Sequence, residues 1–235
     1  MRHVFKRNCM TTIRLGEEHT AMLKLRESEP IAQGHKRFVF QHPTDPDLLI
    51  KVWQPDVVAE RWSSERPWYR QSRYRQYLSL QREISEHLAL AVKFPNGVPV
   101  LQKVFGIIDT DYGVGAVVEK LRGRDGGLAP SLAELARRDG VTPQLLEKVD
   151  RFGEELLQYG IVIGKLHDRN LVLACRDNEE RFVMVDGYGE KTAIPIHVWS
   201  PRLNAVHTRR RFGILIQRLH AAFGSGPAAA PRNGA

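Results

Sequence analysis

The sequence predicts an α+β fold in which an antiparallel sheet is followed by a mostly helical part. Two pairs of apolar, β-type runs in the first half are each joined by a short turn, which is the pattern of two antiparallel hairpins. A stretch with apolar residues at helical spacing lies between the hairpins, and three more predicted helices follow. The hairpins are predicted at residues 31–53 and 98–121, and the helices at residues 68–92, 131–138, 143–159 and 202–223.

Local signals refine these boundaries. Residues 22–26 alternate between apolar and charged side chains and are predicted to form a further strand. Residues 54–67 lack a clear period and are expected to be a loop or the frayed start of the next helix. Ser131 and Glu134 have the capping-box spacing, and Gly160 is placed to terminate the helix that precedes it.

The stretch 161–190 holds the polar residues that bear most directly on function. Asn170 leads into one predicted strand, and Asp186 ends the next. Oxygen-bearing side chains on adjacent strand ends can converge on one cation, and such ligands suit Mg²⁺. Asn170 and Asp186 therefore form the metal-holding half of a protein-kinase-like site. The strands are predicted at 161–163, 171–173 and 182–185, with a charged loop at 164–170 and a polar turn at 175–181.

The catalytic half of such a site is different here. A kinase places its catalytic Asp five residues before the Asn, and Lys165 occupies that position. A lysine is protonated near pH 7 unless it is strongly desolvated, so it is a poor proton acceptor. His167 and Asp168 lie nearby but do not have the kinase spacing. The candidate catalytic residues are therefore Lys165 and, as proton acceptors, His167 or Asp168.

The first half of the chain contains a candidate phosphate site. In kinases a glycine-rich hairpin covers the phosphates, a strand lysine binds them, and a helix glutamate pairs with that lysine. The corresponding residues here are Gly34, Lys51 and Glu83, and we expect Lys51 and Glu83 to form an ion pair. The alternative is a surface hairpin with a solvated lysine and a solvated glutamate. Further candidates for phosphate contacts are the basic residues His35, Lys36 and Arg37.

The end of the second hairpin is a candidate adenine site. The strand over 115–121 runs into a glycine-rich connector, which is typical of the hinge between two lobes. An adenine could hydrogen-bond to the backbone near Glu119 and Leu121, and a generic hairpin with its loop is the alternative. Together with the phosphate and metal residues, this predicts ATP and Mg²⁺ as cofactors.

Composition limits the class of partner. The formal net charge of +8 and the sequence pI of 9.7 favour an anionic partner such as a nucleotide. No apolar run reaches the roughly 20 residues that a bilayer span requires, so membrane insertion is not expected. The two cysteines, Cys9 and Cys175, are far apart and form no disulfide framework, which favours a cytoplasmic location. Nucleic acid is the weakest candidate, because little besides charge supports it.

We predict two lobes between short tails. Residues 1–21 lack a clear period and are expected to be disordered or not translated at all. The sheet lobe is predicted at 22–121 and a reduced, mostly helical lobe at 122–223. Residues 224–235 are rich in glycine, alanine and proline and are expected to be disordered. The short second lobe leaves little of the surface with which a complete kinase docks a protein substrate.

A family resemblance covers residues 22–223 and is carried by residues 29–37, 49–52, 82–83, 166–171 and 186–200. In these stretches the chain resembles the YrbL family, which is named for the bacterial PhoP regulatory network and is similar to protein kinases in fold. The longest match surrounds Asp186. The family typically has no acidic residue at the position of Lys165, so the resemblance implies that the missing Asp is a family trait. A glycine that is usual in the first hairpin is Ala32 here.

Two functions from different classes remain open. One is a kinase-fold regulatory protein, a pseudokinase, in which the fold acts on a protein partner. A nucleotide with Mg²⁺ would be retained by Lys51, Glu83, Asn170 and Asp186. The missing base and the short second lobe favour this function. The other is an atypical phosphotransferase, in which Lys165 stabilises charge in the transition state. Under the first hypothesis we expect Lys165 to pair with Asp186 when no metal is bound.

Overall fold

The structure is a computed structural model that describes residues 22–34, 36–61, 74–176, 178–192 and 194–224. The expectations for residues 1–21 and for the tail beyond Gly224 lie outside the described residues. The same holds for His35 and for the first residues of the helix predicted at 68–92.

An antiparallel sheet of five strands forms the first half of the chain, as the sequence predicts. Its spatial order is β1-β2-β3-β5-β4, so the two hairpins are joined edge to edge through β3 and β5. Val39 and Ala116 lie opposite Lys51 on the two neighbouring strands, which places Lys51 at the centre of the sheet. The strands are β1 (Ala32–Gln33), β2 (Arg37–Gln41), β3 (Leu48–Trp53), β4 (Val104–Thr110) and β5 (Gly113–Glu119).

Two helices lie between β3 and β4. Helix α1 (Pro55–Arg61) occupies part of the stretch expected to be a loop or a frayed helix. Helix α2 (Leu78–Lys93) follows a short 3-10 turn at Arg75–Tyr77. The buried residues of α2 include two carboxylates, Glu83 and Glu86. Because a buried carboxylate requires a charged or hydrogen-bonding partner, these residues indicate a polar site beneath α2.

The two faces of the sheet bury different groups. Side chains alternate along a strand, so Leu49 and Lys51 project from one face and Ile50 projects from the other. Ile50 belongs to an apolar cluster with Phe40, whereas Leu49 packs with Leu80 of α2. Lys51 therefore points towards the helix side of the sheet, where the buried carboxylates lie.

The second half is mostly helical, and its predicted caps are confirmed. The Ser131 hydroxyl accepts a hydrogen bond from the Glu134 backbone N–H, and the Glu134 carboxylate accepts from the Ser131 N–H. Gly160 has a φ of 64° just after its helix. Within the described residues, every helix is too short or too polar to span a bilayer. The helices are α3 (Leu132–Asp139), α4 (Pro143–Gln158), α5 (Ile196–Trp199) and α6 (Pro201–Phe223).

The polar turn expected at 175–181 is wrong, because most of this stretch belongs to two strands of a long hairpin. The strands are β6 (Leu171–Arg176) and β7 (Glu179–Met184). The charged residues of the hairpin belong to the strand ends because they form ion pairs with α4. Polarity here reflects these partners rather than a turn. Asn178 supplies the tight turn with a φ of 64°, a conformation that asparagine tolerates better than most residues. The pairs are Lys148 with Glu180, Arg151 with Glu179, and Glu155 with Arg181.

Three further strand predictions are wrong. Residues 22–26 contribute only a single bridge, between Leu23 and Thr110. Residues 161–163 are almost completely buried but form only a bridge from Ile163 to Tyr188. The strand expected from residue 98 begins at Val104 instead. Short, fully buried apolar runs have no period that distinguishes a strand from other buried backbone, which explains the error at 161–163.

Candidate nucleotide and metal site

Lys51 of β3 lies beneath α2 and reaches the loop that carries Asp186. Its Nζ donates hydrogen bonds to Gln102 Oε1 and, at 2.8 Å, to the backbone C=O of Val185. Burial, together with repulsion from Arg37, lowers the pKa of Lys51 to about 8. The structure therefore brings the predicted strand lysine next to the predicted metal-binding aspartate.

The predicted ion pair between Lys51 and Glu83 is wrong, because Glu83 pairs with Arg37 of β2. Arg37 Nη2 lies 2.9 Å from Glu83 Oε1, and Nη1 lies 3.2 Å from Oε2. The side chains of Arg37 and Glu83 are only 10% and 5% exposed. A guanidinium satisfies both carboxylate oxygens at once, which a single ammonium group does not do with comparable geometry. Arg37 thus takes the place that the kinase pattern gives to Lys51.

Glu83 also contacts Asp186, so two carboxyl groups share the buried site. Burial, reinforced by Asp186, raises the pKa of Glu83 to about 7 although Arg37 acts in the opposite direction. Burial also opposes ionisation of Asp186, but Arg37, a hydrogen bond from Glu83 and the charge of Lys51 lower its pKa to about 2. At a pH below the pKa of Glu83 the two carboxyls therefore hold one proton, and it lies on Glu83.

Asn170 and Asp186 lie together at adjacent strand ends. Asn170 Nδ2 donates to the backbone C=O of Asp186 at 3.3 Å, and Val185 N–H donates to the backbone C=O of Asn170 at 2.9 Å. Tyr188 holds the loop in the core, since its hydroxyl lies 3.0 Å from His87 Nε2 on α2 and the residue is 2% exposed. The loop is therefore fixed on both sides of Gly187.

The donor set around Asp186 fits a hard cation such as Mg²⁺. Asp186 is ionised at neutral pH because its pKa is lowered, and the Asn170 side-chain oxygen has no protein partner among the described residues. Among all the residues that the structure describes, no group of three or more His, Cys, Asp and Glu side chains is placed to hold a metal ion by itself. A cation at Asp186 would therefore depend on phosphate oxygens and water for most of its ligands.

Gly187 allows the loop to pass close to the backbone of Lys165. Its φ is 94°, and a Cβ at this position would overlap the carbonyl oxygen of Lys165. We expect Gly187→Ala to lower the free energy of unfolding by about 2–4 kcal/mol, from backbone strain and overlap together. Gly97→Ala is the control, because Gly97 has a φ of 84° with nothing within 4 Å of its added Cβ. Urea denaturation of both variants measures the difference, and equal losses would contradict a role for the close approach.

The three candidate catalytic residues lie beside this loop. The Lys165 side chain is exposed, and within the described ranges it forms no ion pair with Asp186, so that expectation is wrong. Hydrogen bonds from the backbone N–H groups of Gly164 and Lys165 to Gly187 C=O fix the main chain and leave the side chain free to point outwards. Asp168 begins the 3-10 turn Asp168–Asn170, and His167 directly precedes it. Burial and repulsion from Lys165 lower the pKa of His167.

The residues proposed for adenine binding are already engaged by the protein. Glu119 C=O accepts from Gln102 Nε2 at 2.6 Å, and its N–H donates to Lys103 C=O at 3.0 Å. Leu121 is 4% exposed, and its C=O accepts from Ala129 N–H at 3.0 Å. An adenine at this place would have to compete with Gln102, which links Lys51 to Glu119.

Gly34 lies at the exposed tip of the first hairpin. Its N–H donates to Arg37 C=O at 2.9 Å, and its C=O accepts from Gln54 Nε2 at 2.7 Å. An added Cβ would meet only the Arg37 oxygen, at an ordinary 3.6 Å. The turn therefore does not depend on glycine, which weakens Gly34 as a phosphate-loop candidate.

Sequence reasoning missed the roles of three residues at this site. Arg37 was considered only for phosphate contacts, although its side chain lies on the same face of the sheet as that of Lys51. Val39 is opposite Lys51, and Arg37 is two residues from Val39 along the same strand, so all three side chains project to one face. Strand register was the available signal. The other two are Gln102 and Lys191, whose charge helps to lower the pKa of Asp186. Neither had such a signal, because each reaches the site from an irregular segment.

These features define a class of protein: an α+β chain in which a sheet lysine, a buried helix glutamate, and an Asn and Asp on strand ends meet in one site, as in protein kinases. The chain belongs to the family described as PhoP regulatory network protein YrbL, whose model matches residues 23–220.

The similar solved structures include crystal structures of the PknI kinase domain from Mycobacterium tuberculosis. The unmodified domain has 17% sequence identity and a TM-score of 0.41, with 68% of this chain and 57% of that chain covered. A double mutant of the same domain has 15% identity and a TM-score of 0.42, with 68% and 56% covered. The chain thus spans little more than half the length of these domains. A comparison with curated proteins finds no match.

Proposed function

We propose that this chain is a kinase-fold regulatory protein that binds a nucleotide with Mg²⁺ beside Asp186, and that it is a pseudokinase. The observation that supports this best is the hydrogen bond of 2.8 Å from Lys51 Nζ to the C=O of Val185. It brings a half-buried cation from the sheet next to the ionised Asp186, as a magnesium–phosphate group requires.

Each residue has a distinct part in this proposal. Lys51 would exchange Gln102 for phosphate oxygens, which suits a lysine because its ammonium is a mobile point charge. The oxygens of Asp186 and Asn170 would hold Mg²⁺, which neutralises phosphate charge when bound. Arg37 would remain on Glu83 and keep α2 against the sheet. The nucleotide-bound fold would then act on a protein partner.

The region around Lys165 argues against phosphoryl transfer. A general base must be unprotonated and must lie within hydrogen-bond reach of the group that donates the proton, and lysine side chains in water are ordinarily protonated at neutral pH. The atypical phosphotransferase stays as an alternative because Asp168 is close to Asn170 and its carboxylate accepts only from the Arg169 N–H among the described residues. His167 is the other proton acceptor in that alternative, since its lowered pKa keeps it neutral.

Calorimetric titration with ADP and with ATP, each with Mg²⁺, tests the proposal. We expect saturable binding that Lys51→Ala and Asp186→Asn weaken at least about tenfold, equivalent to about 1.4 kcal/mol. Asp150→Asn on the exposed face of α4 is the matched control and should bind as the wild type does. Absence of binding by the wild type would refute the proposal.

Turnover of ATP distinguishes the alternative. We expect no phosphate release or transfer from ATP by the wild-type chain. Measurable turnover that Lys165→Ala removes, with ATP binding retained, would replace the pseudokinase by the phosphotransferase.

A further inference from the structure

Three cationic side chains, Lys165, Lys191 and Arg82, lie around the loop that follows Asp186. The Lys191 side chain crosses Gly164 so closely that a Cβ on this glycine would lie 2.5 Å from Lys191 Cε. Arg82 Nη2 donates to the Lys191 C=O at 3.3 Å. The cations therefore come from α2, from the Lys165 loop and from the Asp186 loop, and they meet on one surface.

None of the three forms an ion pair with a carboxylate in the part of the chain that the structure describes. Burial and repulsion from Lys165 lower the pKa of Lys191 to about 8, and Arg82 and Lys36 act in the same direction. The protein thus holds like charges together, which has an energetic cost unless an anion is bound.

The nearby acidic groups offset only part of the positive charge of this cluster. Asp186 attracts Lys191, but it is balanced by Arg37 and Lys51. Glu190 attracts Arg82, but both of its oxygens already interact with His197 and the Thr192 segment.

We propose that Lys165, Lys191 and Arg82 form a binding site for a phosphate group next to Asp186. Phosphate matches the cluster better than a carboxylate does, because its oxygens point in several directions and can meet two ammonium groups and one guanidinium together. The phosphate is either the terminal group of a nucleotide or part of a separate phosphorylated ligand. This site goes beyond the proposed function, because it needs neither Mg²⁺ nor the adenine region.

The test is calorimetric titration with inorganic pyrophosphate at fixed ionic strength in EDTA. We expect the wild type to bind, and the double variant Lys165→Ala/Lys191→Ala to lose at least about tenfold in affinity. The control variant Lys93→Ala/Lys103→Ala removes the same charge from exposed positions elsewhere. It should keep wild-type affinity, since long-range charge alone is largely screened by salt.

Lys51→Ala separates this site from the proposed function. It should retain pyrophosphate binding even though nucleotide binding is weakened. Failure of ADP and ATP to bind would count against the proposed function alone. No pyrophosphate binding by the wild type, or equal losses in the test and control variants, would overturn the phosphate site.

Two further titrations identify the source of the phosphate. If the cluster serves the terminal phosphate of a nucleotide, the test variant should weaken ATP binding with Mg²⁺ more than ADP binding. If it serves a separate ligand, pyrophosphate should still bind to the wild type saturated with ADP and Mg²⁺, and ATP and ADP should be affected equally.

Discussion

Arg37→Met is expected to lower the free energy of unfolding by about 3–5 kcal/mol at pH 8, because it leaves a buried carboxylate without its partner. The methionine keeps most of the side-chain volume, so the change removes charge rather than packing. Glu83 would lose both guanidinium hydrogen bonds, and Ser79 Oγ would lose its 2.7 Å donor.

The loss should be smaller at pH 5. Glu83 can then take up a proton, and a neutral carboxyl is less costly to bury than a carboxylate. Arg138→Met is the control, because Arg138 pairs with Asp139 where the two side chains are 69% and 49% exposed. Exposed pairs contribute about 0–1 kcal/mol. Urea denaturation at both pH values measures all four losses, and a loss below about 1 kcal/mol at pH 8 would contradict a structural role for the buried pair.

Much of the fold could be predicted because its elements carry local signals. The hairpins have alternating apolar residues and turns, and the capping box at Ser131 and the glycine at 160 mark helix ends. The errors occur where partners distant in sequence decide the outcome. The polar residues of 175–181 became strand ends through ion pairs with α4, which no local pattern shows.

The proximity of the candidate residues could be predicted from the sequence, but their pairing could not. The structure brings four of them close together: Lys51, Glu83, Asn170 and Asp186. The sequence does not show which cation reaches Glu83, since Arg37 and Lys51 project from the same face of the sheet. Arg37 lies only two residues along β2 from Val39, the residue opposite Lys51. The outcome depends on geometry: a guanidinium binds both oxygens of Glu83, and Lys51 then turns to Gln102 and Val185.

Glu83→Gln is expected to remove a pH dependence of stability between about pH 4.5 and pH 7. The pKa of Glu83 is raised from 4.5 to about 7 in the folded chain. The folded state therefore holds a proton that the unfolded state releases, so this contribution is complete below pH 4.5 and is lost as pH rises through about 7. A shift of this size corresponds to at most about 3 kcal/mol.

The introduced glutamine imitates the protonated glutamate. Its amide N–H can donate to Asp186, and its oxygen can accept from Arg37, so the variant should fold. The lowered pKa values of His87, His167 and His207 give an opposite slope below about pH 6.5, but this slope is common to both proteins. The difference in unfolding free energy between wild type and Glu83→Gln, measured in EDTA across pH 5–8, isolates the Glu83 proton. We expect the variant to become relatively more stable as pH rises, and a constant difference would show that Glu83 is already ionised at pH 5.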